Sequence, residues 1–196
     1  MAFSTHTGDF FELESALSPQ EQKLILGLRK YLASLQPKLD DLWERAEFPG
    51  EIVSALSEAG IIGLTWPETA PFPNSAEFRG WVSLELARVD ASVATYVGVQ
   101  AGLAMGAIGM CGSPEQRAHW LPLLGRGEII GAFGLTEPLS GSDAALGLRT
   151  TAERRGDEWV LNGAKRWIGN ATFSDICVIW ARDLADNMVK GFIVPT

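Results

Sequence analysis

Residues 133–143 read Phe-Gly-Leu-Thr-Glu-Pro-Leu-Ser-Gly-Ser-Asp, a strand-like start that runs into hydroxyls, a proline, a glycine and two acids. The segment is too polar for a core and more specifically built than an ordinary connection. Thr136 offers a hydroxyl at a strand end, Gly141 admits close backbone approach, and the N–H groups and hydroxyl around Ser142 can hold a phosphate or the polar edge of a ring. Further on, Trp167-Ile168-Gly169-Asn170 places a planar indole close to a residue with no side chain. If the intervening chain returns so that both segments line one surface, they suit a flat heteroaromatic group carrying a pyrophosphate. Gly/Ser/Asp clusters also make plain turns, so both readings stand from the residues alone.

Other chemistries lack their signatures. There is no Gly-x-Ser-x-Gly elbow, no Gly-x4-Gly-Lys-Ser/Thr loop, no His-Glu-x-x-His and no Gly-x-Gly-x-x-Gly. His6 falls in an N-terminal tail expected to be disordered, and His119 lies beside Trp120 on a helical stretch, so both read as structural and hydrolase triads are poor candidates. Cys111 and Cys177 are far apart and without Cys-x-x-Cys or Cys/His spacing, which indicates neither a disulfide framework nor a metal site.

The elements that must position these residues change character along the 196-residue chain. Ser18-Pro19-Gln20-Glu21 fits a capping box, and Leu24, Ile25, Leu28, Leu32 and Leu35 then share one helical stripe to about residue 45, with Pro37 expected to kink or end it. A second helix fits 50–59, and 65–74 is a proline-punctuated loop. After Asp90 the run 91–110 carries no charge. Its length meets the spanning threshold, but its glycines, its Gln100 and the lack of flanking basic residues favour the centre of a helical bundle. Gly98, Gly102 and Gly106 at four-residue spacing would let a neighbouring helix, or a flat ligand tail, come very close. A second capping box at Ser113–Gln116 opens a helix over 114–124.

From about residue 129 the period becomes that of strands, read at 149–154, 158–161, 164–168, 175–181 and 189–194, with Asn162-Gly163 as a type I′ hairpin turn. Helices first and strands afterwards predict segregated domains with a boundary near residue 130. The composition is that of an ordinary globular protein, 46% hydrophobic and 20% charged. A net charge of −8 and a pI near 4.8 disfavour nucleic acid or an anionic membrane as partner. The first residues lack a basic segment and an apolar run and carry Asp9, Glu12 and Glu14, so a cytoplasmic location is expected.

Several motifs in order resemble the acyl-CoA dehydrogenase and oxidase family: Phe133-Gly-Leu-Thr-Glu-Pro138, Gly141-Ser-Asp143, Asn162-Gly-Ala-Lys165 and Trp167-Ile-Gly-Asn170, preceded by Cys111-Gly-Ser-Pro-Glu-Gln116 and Leu121-Pro-Leu-Leu124. The tone is that of glutaryl-CoA dehydrogenases and short-chain acyl-CoA oxidases. The resemblance implies an α+β chain: an arm over 1–17, an N-terminal helical bundle domain over 18–129 and an incomplete antiparallel β-barrel domain over 130–196, with the C-terminal helical domain missing. It implies FAD as cofactor, an acyl-CoA thioester as substrate, electron-transfer flavoprotein or oxygen as acceptor, and a homo-oligomer in the complete form. Phe133, Leu135 and Thr136 would lie along the isoalloxazine ring, with Gly141, Ile168 and Gly169 beside the cofactor. Ser142 would meet the FAD phosphates and the thioester, and Trp167 would cover a flavin face. Ala94 stands near the position where glutaryl-type enzymes carry an Arg for a distal carboxylate, so a dicarboxylyl substrate is not expected; Tyr96 either shortens the acyl pocket or packs in the bundle. Gly169 replaces the Thr whose hydroxyl reaches flavin N5 in many dehydrogenases of the family, which opens space for oxygen. The catalytic Glu is expected beyond residue 196, with no catalytic residue in this chain, and Glu137 reads as a structural acid rather than a substitute base. Two rival classes are a non-catalytic nucleotide-binding or interaction module and a small membrane-associated protein using 91–110.

Overall fold

The computed structural model describes residues 8–196; His6 lies outside the described residues. The chain divides into two compact units between Thr95 and Tyr96.

In the first unit a 3-10 turn, Leu13–Ala16, is held by Asp9, whose carboxylate accepts from the N–H groups of Leu13 and Glu14 at 2.9 Å each. Helix α1 (Pro19–Glu44) starts with the reciprocal capping box: Ser18 Oγ accepts from the Glu21 N–H while the Glu21 carboxylate accepts from the Ser18 N–H. Pro37 does not end α1, which continues to Glu44. The lost hydrogen bond is outweighed by burial beyond the proline, where Leu39 is buried with Ile25, Leu28 and Leu32. Helix α2 (Gly50–Glu58) closes at Gly60 with φ 73, and α3 (Ala76–Val89) is capped by Ser75. Helices α1 and α3 pack together. The second oxygen of Glu21 accepts from the Ser75 N–H at 2.8 Å, tying the two helix starts. Arg29 grips Glu14 with both terminal nitrogens at 2.8 and 2.9 Å and Glu85 through Nε at 2.7 Å, so residues around Glu14, inside the expected arm, are bonded to α1 and α3. Asp90 leaves the helical region with φ −153 and ψ 119, and α4 (Ala91–Val97) begins after it.

In the second unit the apolar helix runs from Tyr96 through a π-helical stretch, Gly98–Ala104, into α5 (Met105–Cys111). By length and composition Ala91–Cys111, with mean hydropathy 1.4, is long and apolar enough to cross a membrane; here Val99, Gln100, Ala101, Ala104, Met105 and Ile108 are buried. Beyond their own helix backbone, nothing described stands within 4 Å of a Cβ built at Gly98 or Gly102, both exposed, whereas Gly106 is buried. Helix α6 (Pro114–Gly125) follows its own capping box.

The sheet comprises β1 (Gly131–Gly134), then, after the short helix α7 (Ala144–Gly147), β2 (Thr151–Arg155), β3 (Glu158–Asn162), β4 (Ile176–Asp183) and β5 (Val189–Pro195). It corrects the expectation of an antiparallel barrel fragment. β1 and β2 both pair parallel to β4, at Gly131↔Ile176 through Gly134↔Ile179 and at Thr151↔Arg182, while β2–β3 and β4–β5 are antiparallel. The sheet is small, mixed and open. The mixture arises because the β2–β3 hairpin and the loop after it return the chain so that β4 starts at the same end as β1. Two further expectations fail locally. The hairpin turns at Gly156-Asp157, where Gly156 has φ 64 and Arg155 pairs with Glu158. Asn162 instead ends β3, and Gly163 is required because a Cβ there would lie 2.5 Å from Thr150 Oγ1. Residues 164–168 form no strand, since their bonds are spent on side-chain and loop partners.

Candidate functional site

β1 is seated from below by one buried amide. Gln100, fully buried, donates through Nε2 to the carbonyls of Leu124 (3.0 Å) and Ile129 (2.9 Å) and accepts from the Gly131 N–H at 2.7 Å. Its three bonds use the amide's capacity to satisfy groups that water cannot reach. Gly131 fits closely there, for a Cβ would stand 2.7 Å from Ala104 Cβ. Phe133 is half-buried, with its ring edge-on to Trp180 at 6.0 Å.

Beyond β1 the chain turns on Glu137. The buried carboxylate accepts from the N–H of Arg149 (2.7 Å), the N–H of Thr150 (2.9 Å) and the Lys165 ammonium (2.8 Å). Burial alone pushes its pKa up, but the Lys165 and Thr150 side chains and the two N–H groups outweigh that and lower it to about 2. A carboxylate so occupied is an anchor rather than a base, as expected from the sequence. Asp143 fixes the next turn: its Oδ1 accepts from Ser140 Oγ (2.7 Å) and the Gly141 N–H (3.0 Å), and these bonds lower its pKa. Gly147 must lack a side chain, because a Cβ would fall 1.9 Å from Asp143 Oδ2. Held this way, Gly141 and Ser142 are exposed, a Cβ at Gly141 would meet open space beyond its chain neighbours, and neither the N–H nor the hydroxyl of Ser142 is engaged by another described residue.

The second segment is laid along the first by direct bonds. Lys165 Nζ donates to the Leu135 carbonyl (3.0 Å), the Arg166 N–H to the Thr136 carbonyl (2.8 Å) and Asn170 Nδ2 to the Gly131 carbonyl (3.1 Å). Between these clamps Trp167 and Asn170 take left-handed backbone with φ 60 and 66, a conformation that costs a non-glycine residue about 1 kcal/mol or more. Trp167 is nonetheless 80% exposed, touched by the Arg166 guanidinium 4.4 Å from its ring centroid. A large indole held in solvent by a strained, clamped backbone is a prepared surface. Gly169 is exposed, and a Cβ on it would meet Val99 Cγ2 at 3.1 Å.

Of the residues singled out from sequence, Phe133, Leu135, Thr136, Trp167, Ile168 and Gly169 therefore lie on two bonded segments, and Gly141 and Ser142 on the loop that follows the first. Tyr96 is buried in the second unit, and burial followed by the negative Asp175 raises its pKa to about 12. Ala94 belongs to the first unit. His119 packs edge-on to Trp120 at 4.6 Å. Gln100, Lys165 and Asn170 were not assigned roles from sequence. Gln100 had a signal, as the one amide in an uncharged helical run.

Comparison with known proteins decides the family. Residues 18–128 match the model of the acyl-CoA dehydrogenase N-terminal domain and residues 132–196 that of the acyl-CoA dehydrogenase middle domain. The chain belongs to the acyl-CoA dehydrogenase family. It is 42% identical over 145 residues to (2S)-methylsuccinyl-CoA dehydrogenase of Cereibacter sphaeroides, covering 73% of this chain and 26% of that protein. It is 30% identical to an acyl-CoA dehydrogenase of Bacillus subtilis, covering 89% and 48%. The crystal structure of glutaryl-CoA dehydrogenase from Mycobacterium smegmatis in complex with FADH2 superposes with a TM-score of 0.86 at 36% identity, covering 95% of this chain and 48% of that one. The chain thus spans less than half the length of these relatives. In this acyl-CoA dehydrogenase-family chain, both sequence-matched segments of the site fall within the middle-domain match.

Proposed function

We propose that this chain supplies the flavin-facing wall of an FAD-dependent enzyme that dehydrogenates acyl-CoA thioesters between the α and β carbons. The observation that carries the reading is Trp167: exposed, on left-handed backbone, and clamped beside Thr136 and Leu135 by Lys165, Arg166 and Asn170. The residues present fit FAD. Trp167, Ile168 and Gly169 with Phe133, Leu135 and Thr136 offer an apolar platform with one hydroxyl for the ring system. Gly141 leaves open space, and the Ser142 N–H and hydroxyl are available for phosphate oxygens. Bound there, FAD supplies the hydride acceptor, flavin N5, for the substrate β hydrogen.

The chain's own residues bind and orient. The Glu137–Lys165 pair holds the 135–137 and 165–167 backbones in register, and the strain at Trp167 is sustained by the bonds on either side of it. Glu137 is not the base that takes the α proton, since it already accepts from Lys165 and two N–H groups. On this reading these 196 residues alone do not turn over acyl-CoA. A direct test joins this chain to the C-terminal half of the M. smegmatis enzyme: the purified product carries a flavin spectrum that bleaches anaerobically with a short acyl-CoA, and failure to bleach with every acyl length tried overturns the assignment.

Gly169 favours oxygen as one electron acceptor, because it presents no side chain at an exposed position where the family resemblance places Thr. In the same joined form Gly169→Thr slows stopped-flow reoxidation by oxygen. Since the added Cβ needs Val99 Cγ2, at 3.1 Å, to give way, the variant is compared in a Val99→Ala background as well. Equal reoxidation rates in both backgrounds refute this acceptor.

A further inference from the structure

The first unit contains a cleft of about 420 Å³ between α1, α2 and α3, within the size range of small-ligand sites. Its lining is apolar: the buried Leu28, Leu56, Leu64, Phe78 and Val82 form the floor, and the accessible Leu24, Ile61 and Phe72 form the rim, with Phe72 packed on Phe78 at 5.7 Å between ring centroids. Along its α1 side stand Lys23, Gly27 and Tyr31, one helical turn apart and therefore on one face. Two features mark it as more than a packing fault. Glycine weakens a helix interior relative to alanine, yet Gly27 sits in the middle of the 26-residue α1 with open space, beyond its own helix backbone, where a Cβ would be; its missing side chain keeps the cleft open. Among the described lining residues Lys23 alone is charged, and it has no hydrogen-bond or ion-pair partner among the described residues.

We propose that this cleft binds an anionic amphiphile, a medium-length carboxylate whose alkyl tail lies against the accessible Leu24, Tyr31, Ile61 and Phe72 and whose head pairs with Lys23. The apolar walls give the affinity by removing the tail from water. Lys23 gives the sign of the head group, and Gly27 gives room for the chain to enter. None of this depends on the flavoenzyme reading, because every residue involved lies in the first unit.

The test is isothermal titration of the 196-residue protein with octanoate and with 1-octanol as its neutral match. Octanoate binds saturably at one site and more tightly than the alcohol. Gly27→Leu fills the cleft and lowers octanoate affinity by about tenfold or more, while its thermal midpoint stays the same or rises because leucine is the better helix former. Lys23→Gln lowers octanoate affinity by about two- to fivefold, the scale of an exposed ion pair, and leaves octanol unchanged. Undiminished binding in a folded Gly27→Leu variant, or equal affinity of the wild type for acid and alcohol, overturns the proposal. So does a concentration-dependent dimer that Gly27→Leu abolishes in the absence of octanoate binding, which would assign the cleft to a second copy of the chain.

Discussion

At the scale of single residues the site rests on Glu137. Its side chain and that of Lys165 are 3% and 10% exposed, so removing the charge leaves an ammonium buried against neutral groups. Glu137→Gln is expected to cost about 3 kcal/mol, measured as a shift in the urea midpoint. Glu137 also sets a pH dependence, together with Glu21, whose pKa is lowered to about 2 because the Ser75 and Ser18 N–H and hydroxyl groups outweigh its burial. Folded-state pKa values depressed below the ordinary carboxylate value of 4.5 mean that the stability these groups add is complete above about 4.5 and is lost as pH falls toward about 2. An acid titration of Glu137→Gln should show a shallower loss across that window than the parent; an identical loss would assign the acid sensitivity elsewhere.

At the scale of elements, what was legible in the sequence followed from local rules. Both capping boxes and the change from helix to strand period depend on neighbours within a few residues, and the structure contains them. What was not legible depended on distant partners. The segment 164–168 alternates like a strand, yet Lys165 and Arg166 bond to Leu135, Glu137 and Thr136, about thirty residues earlier. The parallel pairing of β1 and β2 with β4 has no local signature either. Gln100 joins these levels, because one amide couples the π-helical stretch to α6 and β1. Gln100→Leu is expected to cost about 3 kcal/mol or more by stranding the Gly131 N–H and two carbonyls. Hydrogen exchange should show the loss first at Gly131 and its β1 neighbours; a loss spread evenly over α1–α3 would contradict that coupling.

At the scale of the whole chain the sheet is open. One edge of β4 is shared by β1 and β2 and the other is covered by β5, whose outer edge has no strand partner among the described residues. That edge carries half-buried Phe192 and Ile193, and unpaired strand edges with apolar side chains favour association. The 196-residue chain is therefore expected to oligomerise with concentration in sedimentation velocity, and Ile193→Lys to shift it toward monomer. A monomer at all concentrations would show that the edge is protected.

The central claim is that the clamped segment 165–170 and the Thr136 loop form the wall against which FAD lies, and cofactor retention measures it most directly. In the form joined to the C-terminal half of the M. smegmatis enzyme, the FAD dissociation constant is compared for the parent, Trp167→Ala and Trp159→Ala, the last altering a half-exposed indole on β3. The account predicts at least about tenfold weaker FAD binding, or a displaced flavin absorption band, for Trp167→Ala alone, since losing a stacked indole face costs roughly 1–3 kcal/mol. Equal FAD affinity and an unchanged spectrum in all three proteins would contradict it.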